Sequence, residues 1–470
     1  MDDLRKVEEI VKDSKGGIIE KKEAIISTFS NSNIDNDSDA SGGDVNNDPT
    51  KQPTVDPASA LQTFLDHVPI SSIPGIHNSP STVLVVRTHE CVKDGIKMLY
   101  EKNVSGSLIV DSSEPDPTTN FNTSFSHPYV GFLSFSNMVL WFLEEYKKYQ
   151  CRTKEDQATV SKKNKPQGFL SLLDKVPVVS EAKIGELAAS FLWNPVFPVK
   201  LDQTLFHVLL LLSKHRLSVV PVTQHSGSKV VGYVTEHSVN HTLLQSSGLE
   251  WFDSIADKPL SSFRFEHGDQ VILIYNDQSI VEAVPTLWKN KVCAIAVVQR
   301  QTEKLIGCVR LSDIHRLLND DHIFATREGT SVEQFIHADT HQDDHDINHE
   351  LGALISAGTL ALNNKYEPRM DSPVTNTQTD TLKQVMNNLA EKRSNFSFLV
   401  DECERVRGMV TLRDILMEFS PPCMDSRIDG GGFFDMALKQ SGIDGGGFFD
   451  MALKQSGCTI RDGTMVHLPS

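Results

Sequence analysis

The chain has 470 residues, 39% of them hydrophobic and 23% charged, which is enough for two or more domains with full cores. Acidic residues outnumber basic ones by 62 to 45. The formal charge of −17 speaks against a nucleic-acid partner, because phosphate binding needs a concentrated basic surface. The charged start, Met1 to Arg5, lacks the apolar core of a secretory signal, and the longest apolar run, around 208–212, is far too short to cross a bilayer. Seven scattered cysteines with no Cys-x-x-Cys pair predict reduced thiols and a cytoplasmic or nuclear setting.

Residues 1–56 read as a disordered N-terminal segment. After a short helical piece at 4–11, Asn, Asp, Ser and Gly dominate, with almost nothing apolar to bury. Order begins near Pro57, where Leu61, Phe64, Leu65 and Val68 have helical spacing. A first repeat, 57–147, then predicts a strand at 83–86, a helix at 92–102, strands at 107–110 and 129–135, and a closing helix. A Pro-, Asn- and Ser-rich loop at 111–128 interrupts it. Residues 148–179 contain a Lys-rich linker. The second repeat, 180–258, has strands at 197–200, 218–222 and 230–234, a turn at 224–228, and a helix whose buried stripe is Leu205, Val208, Leu209 and Leu212. The third, 259–320, has strands at 271–275, 294–298 and 305–309 and helices at 280–289 and 313–318. An acidic, His-containing linker, 321–350, leads to the fourth repeat, 351–418, with a helix at 382–390 and strands at 396–400 and 408–410. Residues 419–470 form a tail.

Each repeat carries one motif. It is complete as Gly408-Met-Val-Thr-Leu-Arg-Asp-Ile415 and worn as Gly131-Phe-Leu-Ser-Phe-Ser-Asn-Met138, Gly232-Tyr-Val-Thr-Glu-His-Ser-Val239 and Gly307-Cys-Val-Arg-Leu-Ser-Asp-Ile314. The glycine is expected to turn the chain tightly into a short strand. The Ser or Thr stands at a helix N-cap, and the Asp three residues on completes a capping box, as from Thr411 to Asp414. Such a carboxylate also suits a cleft, where it would accept hydrogen bonds from a ribose diol. No phosphate-cradling Gly-rich loop, no His-Glu-x-x-His and no Gly-x-Ser-x-Gly is present, so the chain reads as a non-enzyme.

Four such units resemble cystathionine-β-synthase (CBS) domains. Four in two tandem pairs resemble the gamma regulatory subunits of AMP-activated and sucrose-non-fermenting-related kinases. The stretches 67–72, 205–222 and 249–252, and the Gly-Gly-Gly-Phe-Phe-Asp tail, are similar to the plant gamma-like branch. The resemblance implies an α+β fold of four βαββα CBS repeats in two pseudo-twofold tandem pairs forming a flattened disk. It also implies alpha (catalytic) and beta (bridging) kinase subunits as partners, with no membrane partner. No cofactor is required, and AMP, ADP or ATP would bind in clefts between repeats. On the matching positions, Asp313 and Asp414 would hold ribose hydroxyls beside Thr411, with Lys291, Arg310 and Arg413 near phosphate. The chain departs from the pattern at Asn137 and Ser238, which replace the Asp, and at Arg310, which replaces the Ser or Thr. Ser218–Val219 and Asn395–Phe396 stand where family members place a phosphate-holding His-Arg pair. The scaffold is kept while ligand-facing positions are altered, which makes assembly the expected main task. A free-standing nucleotide sensor is the alternative, and a nucleotide hydrolase is a third reading that lacks motifs.

Two features stand outside the repeats. His337, His341, His345 and His349 recur every four residues among Asp339, Asp343 and Asp346, which would suit zinc on a helix. The Asp and Gln content favours a solvated loop, so no metal is expected. Residues 428–442 recur unchanged as 443–457, a very recent duplication or an error in the sequence.

Overall fold

The computed structural model describes residues 57–76, 83–111, 129–156, 168–190, 193–194, 196–215, 217–224, 230–265, 271–319, 321–338, 360–362, 367–420, 458–461 and 464–467. The N-terminal segment, the loop at 112–128, the Gln224–Ser228 turn beyond its first residue, His341, His345, His349 and the duplicated stretch lie outside them.

Four small sheets are built to one plan. A short first strand runs parallel to the second, and the second pairs antiparallel with the third. In the first repeat Val85–Arg87 lies beside Gly106–Val110, which pairs with Tyr129–Ser134. The second repeat uses Val199–Lys200, Val219–Thr223 and Val230–Thr235. The third uses Leu273–Tyr275, Ala294–Val298 and Leu305–Arg310, and the fourth Thr375–Asn376, Phe396–Val400 and Val406–Thr411. The amphipathic helices Val92–Glu101, Leu205–Ser213, Ile280–Asn290 and Leu382–Glu391 connect first to second strands, so each parallel crossover is spanned by a helix.

In each repeat the antiparallel pair of second and third strands carries a register irregularity beside the recurrent glycine. The glycine therefore sits within the third strand rather than in a turn. At Gly307 the cause is close approach. A Cβ there would lie 2.6 Å from Ile336 Cδ1 and 2.7 Å from the Met370 carbonyl oxygen, which accepts the Cys308 N–H at 2.8 Å.

Packing joins the repeats in two directions. Strands of repeats one and two share an apolar layer through Leu108, Val110, Phe132, Val219 and Val230, and those of three and four share another through Ala294, Ala296, Phe396, Phe398 and Met409. Helices pack the other way, repeat one on three and repeat two on four. Each repeat thus buries its sheet against one neighbour and its helices against another.

The segments before each repeat are exchanged within the pairs. The lead-in helix Pro57–His67 and residues 70–71 dock on repeat two, where the Ile70 N–H donates to the Gln203 carbonyl at 2.9 Å. The segment that opens the second repeat returns to repeat one, with Ile184 N–H donating to the Glu90 carbonyl and Gly185 N–H to that of Thr88, both at 2.9 Å. The second pair repeats the exchange. Leu260 N–H bonds the Asp380 carbonyl at 2.9 Å, and Val332 N–H bonds that of Gln278 at 2.8 Å. This explains a difference from the expected stripe in Leu205–Ser213, since Phe206, Leu210 and Leu211 are buried as well. Repeat four covers one face of that helix and the lead-in helix another, and a helix apolar all round belongs in a core.

Candidate functional site

The four third strands end where the motif predicts helix starts, and the starts differ in chemistry. In repeat four, Thr411 caps Leu412–Phe419 in a full capping box. Asp414 Oδ2 accepts the Thr411 N–H at 2.8 Å and its hydroxyl at 2.6 Å, while the Asp414 N–H donates to Thr411 Oγ1 at 3.2 Å. In repeat two the same box is made with Ser238 in place of Asp. Its hydroxyl accepts the Thr235 N–H at 2.9 Å, and the side chain is wholly buried. Asn137 lies half-buried in the first turn of Phe135–Asp156.

Repeat three departs most. With Arg310 in the capping position, the helix opens as a 3-10 turn, Ser312–His315, and has no side-chain cap. Arg310 instead folds onto Asp313: Nε donates to Oδ2 at 2.8 Å, Nη2 to Oδ1 at 2.7 Å, and the backbone N–H to Oδ2 at 3.1 Å. The pair is almost fully buried, at 5% exposure for Arg310 and 1% for Asp313. Arg316 Nε approaches Asp313 Oδ1 at 3.5 Å, and Arg310 Nη1 lies 3.7 Å from Glu367 Oε2. Expected near a ligand phosphate, Arg310 is in fact bound to the carboxylate expected to hold a ribose. A buried guanidinium needs a counter-charge, and Asp313 is the nearest one.

Around these helix starts, repeats two, three and four converge. Glu236 opens the helix of repeat two and is half-buried. Burial pushes its carboxyl up to about 7, with Arg413 opposing and Asp414 reinforcing the shift. Burial raises the Cys293 thiol to about 12, with Glu236 and Asp414 adding to it. These side chains keep some solvent access while protein surrounds them, as expected for the lining of a cleft. Arg413, also half-buried, donates from Nε to the Ser213 carbonyl at 3.1 Å. Lys291 is exposed and holds the left-handed C-cap of Ile280–Asn290, two residues before Cys293.

A second cationic group completes the lining. Arg393 is 8% exposed, and its Nη1 finds no hydrogen-bond partner among the described residues. Burial lowers its pKa, and the Glu367 carboxylate opposes that shift. The Glu367 carboxyl is itself raised by burial, with Arg310 lowering it, Asp313 raising it and Arg393 lowering it. On the other side, burial, then Arg393 and then His241 depress His237 to about 3, while a bond with Asn395 opposes them.

Residues 185–244 and 370–420 match the CBS domain family. The chain carries CBS domains. The matched stretches are the second and fourth repeats, and repeats one and three share their strand order and motif. The chain is similar to the SNF1-related protein kinase regulatory subunit gamma-1 of Arabidopsis thaliana, 23% identical over 78% of this chain and 85% of the relative. It is also similar to the gamma-1-like subunit of that plant, 23% identical over 77% of this chain and 88% of the relative. Among solved structures it is similar to protein MJ1225 of Methanocaldococcus jannaschii, a candidate archaeal homologue of g-AMPK, at 15% identity and a TM-score of 0.46 over 73% of this chain and 98% of that one.

Within the CBS repeats, Asp414, Thr411 and Arg413 come together, and Arg310 pairs with Asp313. Glu236, Cys293, Glu367, Arg393 and His237 were not singled out from the sequence. Glu236 follows the capping Thr235 directly, which is a usable signal. Glu367 and Arg393 lie outside the motif and reach the site only through the packing of repeats.

Among the described residues no group of metal-binding side chains is found, and no helix is long and apolar enough to cross a membrane. His337, the described member of the histidine series, bonds Asp371 Oδ2 at 3.2 Å.

Proposed function

We propose that the chain is a non-catalytic, gamma-type regulatory subunit of a SNF1-related protein kinase, acting in the cytoplasm or nucleus. In this role it would scaffold a catalytic alpha and a bridging beta subunit. The observation that carries this reading is similarity to two gamma-1-type subunits along more than three quarters of the chain. A scaffolding role suits a fold in which each repeat is packed on two others. The small sheets also keep open edges, and Leu273–Tyr275 is one that exposes Leu273 and Tyr275. A beta-subunit strand could pair there through backbone bonds without side-chain matching.

An adenine nucleotide would bind where repeats two, three and four converge. Asp414 beside Thr411 is the group suited to ribose hydroxyls, and Arg413 and Arg393 are the cations suited to phosphate. An anionic oxygen would satisfy the buried Arg393 Nη1, whose lack of a partner is otherwise costly. The nucleotide would bias assembly by its differential affinity for the free and assembled states.

The test is co-expression of the full chain with plant kinase alpha and beta subunits, purified with and without AMP and ATP. A stable ternary complex is expected. Failure to co-purify under every condition would instead favour a free-standing nucleotide sensor.

A further inference from the structure

We propose that Arg310 is an internal counter-ligand: its guanidinium occupies the Asp313 carboxylate and closes the third CBS repeat to nucleosides, so that ribose recognition falls to Asp414. This inference rests on the nucleotide reading above and deepens it by naming the residue that decides which repeat can be filled.

Three observations converge on it. The first is a comparison of equivalent carboxylates. Asp414 accepts the backbone N–H and hydroxyl of Thr411 at Oδ2, and the residue in its capping position is a neutral threonine. Asp313 is taken at both oxygens, Oδ2 by the Arg310 backbone N–H and Nε, and Oδ1 by Nη2. A diol needs acceptor positions on that carboxylate, and the guanidinium fork covers them. The guanidinium also brings a full opposite charge in bidentate geometry, which a neutral diol does not.

The second observation is that Arg310 is held from several sides. Its Nη1 lies 3.7 Å from Glu367 Oε2, and Ser312 Oγ donates to that same oxygen at 3.2 Å. Swinging Arg310 away would leave the buried Asp313, with the half-buried Glu367 beside it, without that counter-charge. The third observation is local. Arg310 stands where Thr235 and Thr411 cap their helices, and repeat three has the one start of these three that opens as an uncapped 3-10 turn. Helix capping has been given up at this position, and the Arg310–Asp313 pair stands in its place.

The test is calorimetric titration of the full chain with AMP, comparing wild type, Arg310→Thr and Arg310→Thr/Asp313→Asn. Arg310→Thr should bind one more AMP per chain than wild type, and Asp313→Asn should remove that gain. Arg310→Ser is a second opening variant should the threonine form misfold. In the wild-type chain, the Arg310 Nε–H resonance, assigned with Arg310→Lys, should stay in place at saturating AMP. No added AMP in an opened variant with native circular dichroism overturns the inference, as does a shift of the Arg310 resonance on AMP addition. If wild type binds no AMP and Arg310→Thr binds one, the counter-ligand stands and the Asp414 site fails. If neither binds, the counter-ligand fails too.

Discussion

Replacing Asp313 with alanine should cost more stability than any single change at the helix starts of repeats two and four. The side chain is 1% exposed and neutralises an arginine that is 5% exposed. Removing one partner of a buried ion pair leaves an uncompensated charge, at a cost of about 3–5 kcal/mol. The capping box of repeat four sets the scale for comparison, because Thr411→Ala should cost about 1 kcal/mol. With roughly 2–4 °C of melting temperature per kcal/mol in a domain of this class, Asp313→Ala should melt about 10 °C below wild type. Removing both charges is a different perturbation. In Arg310→Met/Asp313→Leu the two most deeply buried charges are removed together, so the double variant should recover much of the loss. Urea unfolding followed by circular dichroism checks this, with a lower midpoint and an unchanged slope expected for Asp313→Ala. A loss below about 1 kcal/mol, or a double variant no better than the single, would show that the pair is not held as described.

Gly307→Ala should destabilise by about 1–3 kcal/mol in the same assay, because its Cβ would meet the Met370 carbonyl at 2.7 Å and backbone cannot rotate aside. Burial, then Arg393 and His241, depress the His237 imidazole from the ordinary 6.5 to about 3, so the unfolded chain binds more protons between those limits. Stability from this group is complete above about pH 6.5 and is lost as pH falls toward 3, at up to roughly 1.4 kcal/mol per unit. His237→Gln should flatten that acid limb of urea midpoint against pH, and an unchanged limb would assign it elsewhere. Glu236 acts with the opposite sign: with its pKa raised from 4.5 to about 7, it withdraws stability as pH rises between those values. Deleting residues 1–76 should speed amide exchange in Leu205–Ser213 of repeat two and leave Val92–Glu101 of repeat one protected, because the lead-in segment covers the former. Equal loss in both helices would contradict the exchanged docking.

The recurrent Gly-h-h-Ser/Thr-x-x-Asp (h, apolar) unit, with apolar residues at helical spacing before it, was sufficient to place four βαββα repeats along the chain. Most strand limits agree with the structure to within about two residues, because period and capping are local properties. The capping box from Thr411 to Asp414 was legible for the same reason. What the sequence could not decide was anything that depends on which surface faces which. The exchange of lead-in segments reverses their order along the chain, and nothing in residues 57–72 says that they cover Leu205–Ser213 rather than Val92–Glu101. The same holds at the site. A carboxylate three residues after a motif position reads identically in Asp313 and Asp414. Only the fold shows that Arg310 has turned back onto the first, in a place dry enough for the pair to be strong. Glu236 belongs to repeat two and Glu367 and Arg393 to repeat four, and they share no motif. They become one site because helices of repeats two and four pack together while the sheets of three and four close beside them, and that packing brings charges distant in sequence within electrostatic reach.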